Sequence, residues 1–206
     1  MTKITLNITH FIEEKKINWK NYFCNNNNLE LEIGIGKGHY IFERALKNPK
    51  INIIGIEYKK RLVEEINCRI EKKNINNICI IHGNAWSLVP LIFKNESLTN
   101  ITLNFPDPWW KRRHHKRRII NEKFANILIL KLAINGTILL QSDVKEIFDK
   151  YLYLLNINKA ICSIKKKDES FFLKNIINTK SYREKKCIKL NLSIYRILLM
   201  KNNLII

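Results

Sequence analysis

The stretch LEIGIGKGHY (residues 31–40) joins a short apolar run to a helical pattern through three closely spaced glycines. Gly34, Gly36 and Gly38 let the backbone bend tightly and approach a ligand closely, because glycine has no side chain. A strand that turns through such a loop into a helix begins a βαβ unit, and ligands bind beside that turn. The stretch therefore predicts a nucleotide-like ligand at the first strand-to-helix turn of an α/β domain.

Outward from this stretch, short Ile-rich apolar runs alternate with helical patterns, which is typical of a doubly wound, mostly parallel sheet. The apolar runs predict strands near residues 29–33, 51–56, 77–82, 100–105 and 136–142. The helical patterns predict helices near residues 39–47, 60–72, 119–134 and 144–155. After residue 158 the pattern weakens to a short helix around 169–178 and a final strand, IYRILLM (residues 194–200).

The length of 206 residues favours one domain, which we expect to span residues 29–206. Residues 1–28 are predicted to form a basic, mostly helical and partly flexible extension. The five cysteines include no C-x-x-C pair, so no metal site is expected and the thiols are expected to be reduced. With no signal-like or membrane-spanning apolar run in the sequence, a cytoplasmic location is expected.

The chain is strongly basic, with 37 Lys and Arg against 18 Asp and Glu and a net charge of +19. Such an excess favours a polyanionic partner, and nucleic acid is the leading candidate. The charge alone is equally compatible with a non-catalytic RNA-binding protein.

Acidic and amide side chains at successive strand ends indicate which ligand the glycine loop takes. Glu32 precedes the loop, where a carboxylate repels a diphosphate but attracts the ammonium and sulfonium groups of S-adenosylmethionine. Glu57 ends the second strand, where it is placed to accept ribose hydroxyls. Asn84 ends the third, where it is placed to hydrogen-bond an adenine edge. The three residues favour S-adenosylmethionine over a dinucleotide.

The most informative segment is NFPDPWWKRRHHKRR (residues 104–118), which follows the fourth strand. Two prolines stiffen the turn that carries Asp107 toward the ligand edge of the sheet. The basic run at 111–118 is suited to phosphate contacts, although such runs are often merely solvated.

With these motifs, the later QSD (141–143) and SYRE (181–184), the sequence resembles the bacterial tRNA (guanine-N7-)-methyltransferases. The resemblance implies a Rossmann-like class I methyltransferase fold, with a seven-stranded sheet whose C-terminal strand is antiparallel. It also implies methyl transfer from S-adenosylmethionine to N7 of a guanine in the tRNA variable loop, position 46. No obligate protein partner is implied, and both a monomer and a homodimer remain open.

The resemblance also implies three sets of site residues, carried over by position. The implied cofactor contacts are Glu32, Glu57, Asn84 and Asp107, and the implied substrate contacts are Lys111, Asp143, Ser181 and Glu184. The implied RNA contacts are Arg113, His114, His115, Lys116, Arg117 and Arg118.

Guanine N7 has a lone pair and no proton, so its methylation needs no general base. Asp107 is therefore expected to act as the catalytic residue by orienting the guanine and offsetting the positive charge that develops on the ring. Asp143 is expected either to assist or to cap the helix that begins at residue 144. Glu184 lies in a charged segment, where such a residue is usually solvated. A methyltransferase for an exocyclic amine of another RNA or DNA remains the alternative enzyme.

Overall fold

A computed structural model of the protein describes residues 17–158, 160–163, 176 and 178–202. In chain order the strands are β1 (Asn28–Ile33), β2 (Ile51–Glu57), β3 (Ile78–His82), β4 (Leu98–Asn104), β5 (Leu132–Ser142), β6 (Ile161–Ser163) and β7 (Tyr195–Lys201). The helices are α1 (Trp19–Phe23), α2 (His39–Lys47), α3 (Lys60–Lys72), α4 (Ala85–Ile92), α5 (Glu122–Lys131), α6 (Lys145–Asn156) and α7 (Tyr182–Lys189). A 3₁₀-helix covers Arg112–Arg117.

The strands described form one sheet of seven in the order β3-β2-β1-β4-β5-β7-β6. The first five run parallel, and β7 is antiparallel to both of its neighbours. The doubly wound sheet with an antiparallel C-terminal strand is thus confirmed. Because β1 lies between β2 and β4, the chain reverses its direction of winding at the carboxyl end of β1, where such folds bind their ligands.

Helices cover both faces of the sheet, and the side chains of each strand alternate between them. On one face α1, α4, α5 and α6 pack against Leu31, Ile33 and their counterparts in the neighbouring strands. On the other, α2 and α3 pack against the outer strands β2 and β3. The apolar side chains on each face of the sheet are therefore buried against helices, as a doubly wound sheet requires.

The structure corrects three predicted boundaries. The helix predicted at 119–134 is shorter, because the Asn121 side chain caps it by accepting from the Phe124 N–H. β5 then begins at Leu132, which is buried and pairs with Leu98 ahead of an irregularity in the ladder. The first helix is not part of a separate extension, because Trp19 packs into the core and donates its indole N–H to the Ile92 carbonyl at 3.0 Å.

The helix α4 was not predicted, since Pro90 interrupts an apolar run of only eight residues. The predicted extension at residues 1–16 and most of the predicted helix at 169–178 lie outside the described residues. Within the part of the chain that is described, no helix has the length and apolarity needed to cross a membrane.

Candidate functional site

The glycine loop borders open space at the carboxyl end of β1. Gly34 and Gly36 have φ values of +76° and +53°, which other residues rarely adopt, and a Cβ on either would meet no atom within 4 Å. The Gly34 N–H donates to the Ile56 carbonyl at 2.8 Å, which holds the loop against β2. The loop is therefore fixed on its protein side and open on the other, as a ligand cradle must be.

Glu57 is buried at the end of β2 and holds the loop in place. One carboxylate oxygen accepts the Gly36 N–H at 3.0 Å, and the other accepts the Lys59 N–H at 2.9 Å. The predicted ribose contact stays a prediction, whereas the bond to Gly36 is a structural role that the sequence did not reveal.

Glu32 lies next to the loop and is only 2% exposed. Its Oε1 accepts from Asn104 Nδ2 at 3.1 Å, and its Oε2 has no hydrogen-bonding partner within the described part of the chain. Burial raises the carboxyl pKa to about 8 and the Glu57 charge adds to the rise, whereas the bond from Asn104 and the backbone N–H of Ile41 offset part of it. A buried carboxylate oxygen without a donor is costly, so this atom indicates a cationic or donor group on a ligand.

Asn84 follows β3 and caps α4, because its side-chain oxygen accepts the Trp86 N–H at 2.9 Å. Trp86 in turn donates its indole N–H to the Ile119 carbonyl at 2.5 Å. The cap fixes Asn84 at the same edge of the sheet as Glu57, and the predicted adenine contact stays a prediction.

The turn after β4 holds Asp107 in an exposed position above the sheet edge. The flanking residues Phe105 and Trp109 both have positive φ, +49° and +47°, so the turn is tightly bent on either side of the carboxylate. Trp109 packs edge-on against His114 at 5.8 Å. Trp110 is 67% exposed, so its ring is accessible for stacking on a base.

The basic run contains one residue that does not face solvent. In the 3₁₀-helix, Arg113, Lys116 and Arg117 are exposed, as phosphate contacts require. Arg118 is only 5% exposed, and its Nε donates to the Pro108 carbonyl at 3.0 Å. Arg118 thus offers little surface to RNA in this structure, because its guanidinium holds the turn that carries Asp107; its predicted RNA contact stays a prediction.

The other two RNA-directed residues and Lys111 are accessible. His114 and His115 are partly exposed, and His115 Nε2 lies 3.1 Å from the Arg118 guanidinium. Lys111 is exposed immediately before the 3₁₀-helix. The turn, the 3₁₀-helix and their cations thus form one surface beside the carboxyl end of β4.

The predicted substrate residues at the end of β5 and in α7 lie together. Asp143 accepts from Arg183 at 2.9 Å, and the helix α6 is capped at Val144 without a side-chain bond, so the alternative role of Asp143 as a helix cap is wrong. Ser181 caps α7 by accepting the Glu184 N–H at 3.1 Å. Glu184 is 1% exposed and pairs with Arg196, which contradicts the expectation that it is solvated.

α7 also contacts the glycine-loop region. The rings of His39 and Tyr182 stack at 5.0 Å, and the Lys37 ammonium lies 5.0 Å from the Tyr182 ring. Burial, with the positive charges around it, lowers the His39 pKa. A salt bridge of 3.0 Å joins Lys185 to Glu43 of α2. The segment at 181–184 is therefore brought to the loop, although it is distant from it in sequence.

The chain is similar in sequence to known methyltransferases. A family model described as "Putative methyltransferase" matches residues 26–197. A tRNA (guanine-N(7)-)-methyltransferase from Prochlorococcus marinus (strain AS9601) is 37% identical over 183 residues, which cover 84% of this chain and 85% of that protein. A protein of the same name from Oceanobacillus iheyensis is 38% identical over 137 residues, 66% of this chain and 64% of that one.

Several solved structures of similar fold are methyltransferases, and one is a [4+2]-cyclase. The 16S rRNA methyltransferase KamB has a TM-score of 0.61 at 9% identity, covering 92% of this chain and 95% of that one. The geranyl diphosphate C-methyltransferase of Streptomyces coelicolor A3(2), solved with S-adenosyl-L-homocysteine, has a TM-score of 0.55 at 12% identity, covering 85% and 71%. At these identities the likeness establishes the fold alone.

Proposed function

Since the chain belongs to the family of tRNA (guanine-N(7)-)-methyltransferases, we propose that its site transfers the methyl group of S-adenosylmethionine to N7 of a guanine in tRNA. The guanine is that of the variable loop, as the resemblance to this family implies. The protein acts in the cytoplasm, as a monomer or homodimer, without an obligate protein partner.

The single observation that supports this most strongly is the buried Oε2 of Glu32, which has no hydrogen-bonding partner among the described residues and lies beside the open glycine loop. S-adenosylmethionine has a cationic ammonium and sulfonium and no phosphate, so it matches a buried carboxylate where a dinucleotide would not. Gly34 and Gly36 leave room for the ligand to approach the backbone. The residues present therefore fit this cofactor.

Three residues would hold the cofactor at the strand ends. Glu32 would accept from its ammonium, Glu57 would orient the ribose while holding the loop, and Asn84 would meet the adenine edge. Bound S-adenosylmethionine supplies an electrophilic methyl group on a sulfonium centre. The remaining requirement is to bring a nucleophile to that edge in the correct orientation.

The chain's own contribution to the reaction is orientation and electrostatics. N7 attacks through a lone pair and loses no proton, so the site needs no general base. Asp107 accepts from the N–H groups of the guanine and offsets the positive charge that develops on its ring. Arg118 holds the Pro108 carbonyl at 3.0 Å and thereby keeps Asp107 in position without touching the base.

RNA binds across the 3₁₀-helix next to that turn. Arg113, Lys116 and Arg117 are exposed and contact phosphates, which position the RNA without reading its sequence. N7 lies on the major-groove edge, which is deep and narrow in paired RNA, so the target base must be unpaired or turned out of the stack. The exposed Trp110 is suited to stack on such a base.

Incubation with labelled S-adenosylmethionine and unmodified tRNA, followed by nucleoside analysis, tests the proposal. We expect 7-methylguanosine as the product, and none with tRNA whose variable-loop guanine is replaced. With saturating cofactor and tRNA, the single-turnover rate should be flat between pH 7 and 9. An N-methylated exocyclic amine, or a rate that rises tenfold per pH unit, would indicate the alternative enzyme; cofactor binding without any product would indicate a non-catalytic RNA-binding protein.

A further inference from the structure

A continuous row of hydrogen bonds crosses the sheet at its carboxyl edge, on the face covered by α2. Asn104 donates to Glu32 at 3.1 Å, Gln141 donates to Asn104 at 3.0 Å, and Arg196 donates to Gln141 at 3.1 Å. Arg196 also pairs with Glu184 of α7. We call these five residues the polar row. It joins β1, β4, β5 and β7 to α7.

The direction of every bond in the polar row is set by Arg196. A guanidinium has only donors, so Gln141 must present its carbonyl oxygen to Arg196 and its NH₂ group to Asn104. Asn104 must then accept from Gln141 and donate to Glu32. Gln141 faces Asn104 and Arg196 directly in the strand registers, so the three side chains stand side by side. If the amide of Asn104 or Gln141 were reversed, its NH₂ group would face another donor on one side and its oxygen would face another oxygen on the other side.

The polar row ends in two buried carboxylates. Glu32 is 2% exposed and Glu184 is 1% exposed, and each uses one oxygen in the row. The other oxygen of each, Oε2, lacks a hydrogen-bonding partner among the residues that the structure describes. One end is thus in the proposed cofactor site and the other is in the segment at 181–184 expected to meet the substrate.

The bond from Asn104 matters because Glu32 is hard to ionise. Burial raises its carboxyl pKa, and Glu57 of β2 adds to that effect; the buried Tyr40 of α2 also interacts with this carboxyl. Asn104 opposes the rise by donating to the ionised form. A carboxylate that binds an ammonium must be ionised, so the orientation of the Asn104 amide affects cofactor affinity.

We propose that Arg196 is a positioning residue for methyl transfer, acting through Gln141 and Asn104 to keep Glu32 aligned for the cofactor, and through Glu184 to fix the substrate segment. Arg196 contacts neither substrate nor cofactor in this role. The proposal rests on the proposed function, because it assigns the two ends of the polar row to that function's two ligands.

Cofactor binding to Gln141→Leu, measured by calorimetry from pH 7 to pH 9.5, tests the cofactor half. The variant removes the link between Arg196 and Asn104 and leaves the pair of Arg196 with Glu184 intact. We expect S-adenosylmethionine to bind about tenfold more weakly at pH 7. The difference should shrink toward pH 9.5, where Glu32 ionises without help. Thr137→Val is the matched control, because Thr137 lies on the same face of β5 and donates to the buried Asn100 at 2.9 Å, outside the row.

Variants of Arg196 test both halves together. Arg196→Met should weaken cofactor binding as Gln141→Leu does and should also raise the KM for tRNA, whereas Arg196→Lys should recover part of both. If Gln141→Leu and Arg196→Met bind cofactor with the same affinity and pH profile as Thr137→Val, the polar row is only structural and the inference is wrong. A wild-type protein that binds cofactor but does not methylate tRNA would instead refute the proposed function, and the binding profiles would still decide the role of the row.

Discussion

Replacing Glu32 by Gln tests whether the buried carboxyl is the centre of the cofactor site. The change keeps the shape of the side chain and the acceptor for Asn104, and it removes the ionisable group. Burial, with the smaller effect of the Glu57 charge, raises the pKa of this carboxyl from 4.5 to about 8 in the protein without cofactor. The wild-type carboxyl therefore holds a proton in the folded state that it would release in the unfolded chain.

The sign of the effect on stability follows from that difference. A group whose pKa is higher in the folded protein contributes stability that is complete below the unfolded value and is lost as pH rises through the folded value. At about 1.4 kcal/mol per pH unit over this window, Glu32 removes up to about 4 kcal/mol of unfolding free energy between pH 5 and pH 9. Glu32→Gln should be spared this loss, so it should become progressively more stable than wild type as pH rises.

Urea denaturation at pH 5, 7 and 9 without cofactor measures the difference. The control is Glu64→Gln, which removes an exposed carboxyl of α3 and should differ from wild type by a constant amount. Adding S-adenosylmethionine should stabilise wild type more than Glu32→Gln, because only the wild type offers a carboxylate to the ammonium. Parallel pH profiles for wild type and Glu32→Gln would refute the burial argument, and equal stabilisation by cofactor would refute the cofactor contact.

Four further substitutions separate the parts of the site. Arg113→Ala should reduce the slope of log K against log salt for tRNA by about 0.7–0.9 without changing Tm, because Arg113 is exposed. Arg118→Ala should lower stability by about 2 kcal/mol, since its guanidinium is buried. Filter binding and thermal unfolding distinguish the two variants, and identical effects would contradict the buried position of Arg118. Asp107→Asn should slow single-turnover methylation about 10²–10³-fold with tRNA affinity within a few fold, and a wild-type rate would remove Asp107 from catalysis. Arg183→Ala should change stability by less than about 1 kcal/mol, since its pair with Asp143 is partly exposed, yet raise the KM for tRNA; an unchanged KM would make the pair irrelevant to substrate binding.

The parallel part of the fold and the cofactor loop were predictable because their signals are local. The loop in LEIGIGKG has positive φ at its three glycines. Other residues rarely adopt this conformation, so the glycines themselves indicate the turn. The apolar runs of β1 and β2 are short, and the glycine loop and the helical pattern at 60–72 mark where these two runs end. The start of β5 was not predictable, because Leu132 continues the helical pattern of α5 until pairing with β4 overrides it.

The polar row was not recognised in the sequence, although a signal for it exists. Residues 100–105 were predicted as one of the apolar strands, whereas Asn100, Thr102 and Asn104 alternate with apolar residues and lie on the face covered by α2, where Thr102 donates to Tyr40. The burial of Arg118 and Glu184 was not predictable at all. Each is surrounded by charged residues in the chain, and its burial depends on a partner elsewhere: the Pro108 carbonyl for Arg118 and the Arg196 guanidinium for Glu184.

The contact of α7 with the glycine-loop region, through Tyr182, His39 and Lys37, has a thermodynamic consequence for the two ligands. If the proposed cofactor and tRNA both bind against this helix, the affinity of each depends on the occupancy of the other. Such coupling is reciprocal: any factor by which cofactor raises affinity for tRNA is the factor by which tRNA raises affinity for cofactor. After methyl transfer the cofactor carries a neutral thioether in place of the sulfonium. Any part of the coupling that depends on the sulfonium charge is then lost, so the affinities for the spent cofactor and for the methylated tRNA fall together.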